Sequence, residues 1–193
     1  MSESDSTPTV SSPSIWHKLL PGATPWLLLS LILLIADQWT KHWASATLQY
    51  GRPNVVNGYL DLTLLHNTGA AFSLLANAGG WQKYFFITLS SVVSILLVVW
   101  LARLPKFGRL LLVLGLALIV SGAVGNLYDR AMLGYVVDFL HFHYNEHYWP
   151  AFNVADAAIS VGVVLILIDS FVYKEEGSVP ADEATSGDEA VED

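Results

Sequence analysis

Residues 125–160 read GNLYDRAMLGYVVDFLHFHYNEHYWPAFNVADAAIS. Three aspartates (Asp129, Asp138, Asp156), two asparagines (Asn126, Asn153) and Arg130 are set among apolar residues, and long apolar runs border the stretch on both sides. A carboxylate at the edge of lipid is costly to desolvate, so polar groups held there ask for a function or a partner. The flanking runs are what decide the fold: they have the length and apolarity of membrane spans.

Working outward, four such runs are present, at about 26–46, 84–102, 110–128 and 151–172. A bilayer helix needs about 20 predominantly apolar residues. The third run meets this only by continuing through Gly125-Asn126-Leu127-Tyr128, which puts its polar end against protein or a water-filled site. The composition agrees: the chain is 53% hydrophobic and 13% charged, where soluble domains carry roughly 25% charged residues. The expected fold class is therefore an all-α polytopic membrane protein of four transmembrane helices. A cleaved signal peptide is the competing reading of the first run, but Trp39, Lys41, His42 and Trp43 make a poor cleavage region before Ala44-Ser45-Ala46.

The formal charge of −8 belongs to the tails: Glu3, Asp5 and all the acids from Glu175 onward lie there, and the segment 6–174 is slightly basic. Residues 1–14 read as a disordered Ser/Thr/Pro-rich leader, 15–174 as the membrane domain and 175–193 as a disordered acidic tail. The absence of cysteine excludes a thiol nucleophile, disulfides and thiolate metal sites. The loop Arg103-Leu104-Pro105-Lys106-Phe107-Gly108-Arg109 carries three cations and is expected to be cytoplasmic. Four spans then put both termini in the cytoplasm and residues 47–83 and 125–149 outside.

In the outer segment Leu60, Leu62 and Leu64 alternate with Tyr59, Asp61 and Thr63, the period of a half-buried strand, after a turn at Asn57-Gly58. A small sheet on the membrane surface is expected, followed by a short interfacial helix at 70–76. No internal repeat supports an inverted-repeat transporter.

Each polar group has a structural and a functional reading. Asp37 and Lys41, at i and i+4, form an ion pair in the first span or a charged brace for a nearby site. Asn126, Asp129 and Arg130, at i, i+3 and i+4, give an Asp–Arg pair closing a helix or a cation that braces an acidic site. Asn153 and Asp156 suit an N-cap and its third-position acid. Asp138 lies in a loop of apolar neighbours; two carboxyls close together there do not both ionise, which leaves an acid and a base to activate water. His141, His143 and His147 read as interfacial imidazoles among aromatic residues, with zinc as the alternative. Asp169 reads as structural, reaching the interface. No Walker loop, dinucleotide fingerprint or basic nucleic-acid patch is present.

Five motifs, in this order among the spans, resemble the bacterial lipoprotein signal peptidases, the type II signal peptidases. They are Asp37-Gln38-Trp39-Thr40-Lys41, Asn67-Thr68-Gly69-Ala70-Ala71-Phe72-Ser73, Gly125-Asn126-Leu127-Tyr128-Asp129-Arg130, Val136-Val137-Asp138-Phe139 and Phe152-Asn153-Val154-Ala155-Asp156. The resemblance covers about residues 26–172, and the motifs match without departure. It implies an intramembrane aspartic endopeptidase of the bacterial inner membrane, with no cofactor or metal and no obligate protein partner. Its substrates would be diacylglyceryl-modified prolipoproteins, cut just before the lipid-bearing cysteine near the outer face. By motif, Asp138 and Asp156 match the catalytic pair. Asn67, Asn126, Asp129, Arg130 and Asn153 match substrate-binding or supporting groups, and Asp37 with Lys41 the structural pair. Asp129 competes with Asp138, but the adjacent Arg130 favours its staying ionised. A proton-coupled transporter and a non-enzymatic membrane scaffold are the other classes; acids clustered at one face argue against transport.

Overall fold

A computed structural model describes residues 22–69, 80–105 and 108–176. The expected leader, the interfacial helix at 70–76 and the tail from 177 lie outside the described residues.

A 3₁₀ turn at Thr24–Trp26 leads into α1 (Leu27–Thr47). Strands β1 (Asn54–Asn57) and β2 (Leu60–Asn67) come next, then α2 (Trp81–Arg103) and α3 (Leu110–Met132). Strands β3 (Val136–Tyr144) and β4 (His147–Tyr148) precede the last helix, α4 (Val154–Glu176). Among the described residues three helices are long and apolar enough to cross a membrane: α2, α3 and α4. Helix α1 has 21 residues, but Asp37, Gln38, Lys41 and His42 dilute its second half.

Helix α3 is the centre of the bundle and packs against α1, α2 and α4. Small residues set its approach to α4. A Cβ on Gly122 would lie 2.3 Å from the Ala155 carbonyl oxygen, and one on Gly115 would lie 2.7 Å from that of Gly162. Such contacts let helix backbones pack closely where lipid offers no hydrophobic drive. By contrast, α2 exposes Tyr84, Leu89, Ile95, Leu96 and Trp100, the surface a bilayer would cover. At one end Ala23, Leu101, Leu112, Val113 and Leu116 close an apolar core.

The expected small sheet is present and extends beyond the segment read for it. It has four antiparallel strands in the order β1-β2-β3-β4. The segment read as the Asp138 loop is strand β3, with Asp138 opposite Leu65. Covering on both faces hid the strand, because Val136 to Phe139 are all buried and show no alternation. The burial of β2 is also the reverse of the expected pattern at two positions. Asp61 and Thr63 are buried, while Leu60 and Leu62 are half-buried. The polar side of β2 turns toward His143 and Tyr148, which partner Asp61.

Asp169 has a structural partner. It is fully buried, where it pairs with the Arg109 guanidinium and accepts the Leu112 N–H at 3.2 Å. Arg109 stands just before the first turn of α3, so this pair ties the start of α3 to the far end of α4.

Candidate active site

The start of α4 is built by its own first residues. Asn153 Oδ1 accepts the Asp156 N–H at 2.9 Å, and Asp156 Oδ2 accepts the Asn153 N–H at 3.3 Å. This reciprocal arrangement is the capping box expected from the spacing, with Asp in the third position. A second carboxylate reaches the same helix end from α1: Asp37 Oδ1 accepts the Ala155 N–H at 2.8 Å. Two orphan donors of the first turn are thus satisfied by acids, which the helix dipole favours.

Asparagines connect this helix end to β3. Asn153 Nδ2 donates to Asp138 Oδ1 at 2.7 Å, and Asn67 Nδ2 donates to Asp138 Oδ2 at 3.2 Å. Asn126 Nδ2 donates to Asp156 Oδ1 at 2.8 Å. Amides from other elements therefore hold both oxygens of Asp138 and one oxygen of Asp156. Asp138 is 3% exposed. Burial, then the charge of Asp156, pushes its carboxyl up to about 7; the Asn67 and Asn153 hydrogen bonds and the Lys41 charge pull the other way.

Behind this pair lies a buried charge cluster. Lys41 Nζ is 2.9 Å from Asp37 Oδ2, 3.0 Å from Asp129 Oδ2 and 3.0 Å from Asn126 Oδ1. The expected Asp37–Lys41 pair is present, and it is one arm of a larger arrangement. The expected Asp129–Arg130 pair is not formed. Asp129 instead binds Lys41, accepts Gln38 Nε2 at 3.0 Å and accepts the Val137 N–H at 3.1 Å. Consecutive residues on a helix point about 100° apart, so the two side chains diverge. Arg130 turns outward, donates to the Gly69 and Asn126 carbonyl oxygens at 3.0 and 3.4 Å, and lies over the Phe86 ring. Gln38 is a site residue that sequence reasoning missed. It sits beside Asp37 in a polar run within an apolar helix, which was the available signal.

A cavity of about 960 Å³ opens at this point. Asp138, Asp156, Asn67, Asn126 and Arg130 line it, together with Leu65, Phe152, Ile159 and Val161. Asp37, Lys41, Asp129 and Asn153 stand behind that lining. A largely apolar cleft with a few convergent polar groups is the usual form of a ligand site. The histidines do not converge on it as a set. His141 lines the cavity and packs on Tyr148, His143 lies 3.5 Å from Asp61, and His147 is on β4. Among the described residues no group of three or more His, Asp or Glu side chains is arranged to hold a metal ion.

The family model for signal peptidase (SPase) II matches residues 29–172. The lipoprotein signal peptidase of Acinetobacter baumannii is 54% identical over 151 residues, covering 78% of this chain and 85% of the relative. That of Teredinibacter turnerae is 48% identical over 155 residues, 80% of this chain and 92% of the relative. A solved structure described as a bacterial membrane enzyme superposes with a TM-score of 0.71 at 28% identity, covering 82% of this chain and 94% of the other. A second with the same description gives 0.64 at 30% identity, covering 75% and 90%. With described residues of the five motifs standing at or directly behind one cavity, and this match across the membrane domain, the chain belongs to the signal peptidase II family of bacterial lipoprotein signal peptidases.

Proposed function

We propose that the protein is an intramembrane aspartic endopeptidase in which Asp138 and Asp156 activate a water molecule. Its substrates are prolipoproteins whose cysteine carries diacylglycerol, cleaved just before that cysteine. The observation that carries this reading is that two carboxyls from different elements open on one cavity, each fixed by an asparagine, with one titrating near neutral pH.

Asp138, pushed up to about 7, holds the shared proton. Asp156, bonded by Asn126 and by the first turn of α4, is the base. The base takes a proton from water as the water oxygen bonds to the peptide carbonyl carbon. Asp138 gives its proton to the carbonyl oxygen. In collapse of the tetrahedral species the C–N bond breaks, the amine leaves with the proton from Asp156, and the hydroxyl proton returns to Asp138. Arg130 braces the Gly69 backbone beside the site, and Asn67 orients Asp138.

Helix α1 serves as the fourth span. Its acid and cation pair with α3 and cap α4, so its polar half is shielded by protein. By the positive-inside rule, Arg103 and Arg109 favour a cytoplasmic α2–α3 loop and cytoplasmic termini, with the cavity near the outer face of the inner membrane. Substrate acyl chains remain in lipid beside the apolar lining.

The test is cleavage of a diacylated lipobox peptide by the purified full chain in nanodiscs. Asp138→Asn and Asp156→Asn are each expected to lower turnover by at least about 10³-fold. Asp129→Asn is expected to retain turnover in the molecules that fold. Undiminished cleavage by both dyad variants sinks the assignment.

A further inference from the structure

On the sheet, away from the dyad, lies a second buried acid that the reaction does not use. Asp61 is 2% exposed on β2 and stands directly opposite His141 on β3. Its Oδ2 accepts the Tyr148 hydroxyl at 3.1 Å. Its Oδ1 faces His143 Nε2 at 3.5 Å, and neither of these buried atoms has a formed hydrogen bond. The titratable groups meeting there come from three strands: Asp61 from β2, His141 and His143 from β3, and Tyr148 from β4.

His143 lies between two acceptors: Nδ1 is 3.3 Å from the Asn145 carbonyl oxygen and Nε2 is 3.5 Å from Asp61 Oδ1. Burial holds His141 below its ordinary value, against the pull of Asp61.

These contacts matter because Tyr148 begins one wall of the cavity. Residues 148–152 form that wall and run straight into Asn153. The Tyr148 ring packs on both histidines, with ring centroids 4.6 Å from His141 and 4.9 Å from His143. At the other end of the wall Phe152 exchanges backbone hydrogen bonds with Leu140. At the Tyr148 end the backbone is joined to β3 by the β4 pairing and by the Trp149 N–H, which donates to the Phe142 carbonyl oxygen at 2.8 Å, and Asp61 holds the Tyr148 side chain that projects from it.

We propose that Asp61 is a positioning residue: its carboxylate anchors the Tyr148 hydroxyl, and so sets the Tyr148 end of the wall 148–152 of the cavity lined by Asp138 and Asp156. Its kinetic consequence rests on the peptidase reading; the anchor itself does not. A wall that binds peptide but touches no reacting atom acts on KM.

The experiment uses the full chain in nanodiscs. Spectra of tyrosine-labelled protein are expected to show a slowly exchanging Tyr148 hydroxyl proton, and Asp61→Asn is expected to speed its exchange. With the diacylated peptide, Asp61→Asn and Tyr148→Phe are each expected to raise KM about tenfold, the scale of one charge-assisted hydrogen bond, with kcat within about twofold. Tyr148→Phe keeps the ring and guards against a folding defect in the other variant. A freely exchanging Tyr148 hydroxyl in the wild type, an exchange rate unchanged in Asp61→Asn, or an unchanged KM in both variants overturns the proposal. Should the peptide not be cleaved at all, the peptidase reading fails and the hydroxyl exchange alone decides the anchor.

Discussion

Asn153 donates to Asp138 at 2.7 Å while its own Oδ1 caps the N–H of Asp156. One amide side chain therefore starts a membrane helix, fixes the Asp138 carboxyl and holds the backbone of Asp156. Removing it should damage stability and reaction together. Asn153→Ala is expected to cost about 1 kcal/mol for the lost cap and somewhat more for the acceptors left unpaired. It should also lower kcat about 10²-fold by loosening the dyad. Thermal denaturation and peptide cleavage measured on the same preparation check this. Asn153→Ser, which retains a capping oxygen without setting a second carboxylate against Asp138, should recover part of the stability without recovering cleavage.

The Asp138 carboxyl gives stability a pH dependence of definite sign. An unfolded chain ionises this group near its ordinary 3.8, and the folded protein does so at about 7. Below both values the two states are equally protonated. Between them the unfolded state alone releases the proton, so stability falls as pH rises and levels off above about 7. The full contribution is on the order of 4 kcal/mol. Denaturation midpoints measured from pH 4 to pH 8 should fall, and Asp138→Asn should flatten the decline. Cleavage should also fall on the alkaline side, where the shared proton is lost.

Lys41 is the single cation between Asp37 and Asp129 in a region with almost no solvent. Removing one partner of a buried charge cluster leaves the rest uncompensated, at about 3–5 kcal/mol. Lys41→Met should therefore lose most of its folded yield in membranes. Adding Asp129→Asn removes one of the stranded charges and should restore part of that yield. Equal yields for the single and double variants would show that Lys41 is not balancing Asp129.

What could be read from the sequence was local. The Asp37–Lys41 pair and the Asn153–Asp156 box are spacings of three or four on a helix, and both are present. The helix positions come from apolar length alone. The partner of Asp129 was not legible, because helix geometry turns it from its neighbour Arg130 toward a lysine on α1. Strand β3 was missed because burial on both faces removes the alternation that marks a strand. Asp169 and Arg109 lie at opposite ends of two helices, and only an antiparallel pairing of α3 with α4 brings them together. The inverted burial of Asp61 has the same origin: its partners come from β3 and β4.

The glycines between α3 and α4 allow stability to be separated from positioning. A Cβ on Gly122 would meet the Ala155 carbonyl oxygen at 2.3 Å, next to Asp156. One on Gly115 would meet the Gly162 carbonyl oxygen at 2.7 Å, about two turns away along α3. Both atoms are backbone, so the helices themselves must separate, at about 1–3 kcal/mol of overpacking. Gly122→Ala should displace the first turn of α4, and a shift of about 1 Å there is enough to lower cleavage about 10²-fold. Gly115→Ala should lose comparable stability and keep most of its cleavage per folded molecule. Gly58→Ala, where nothing lies within 4 Å of the added carbon, serves as the neutral control. Denaturation midpoints paired with turnover numbers separate the two effects, and equal turnover in the Gly122 and Gly115 variants would count against the link between this seam and the dyad.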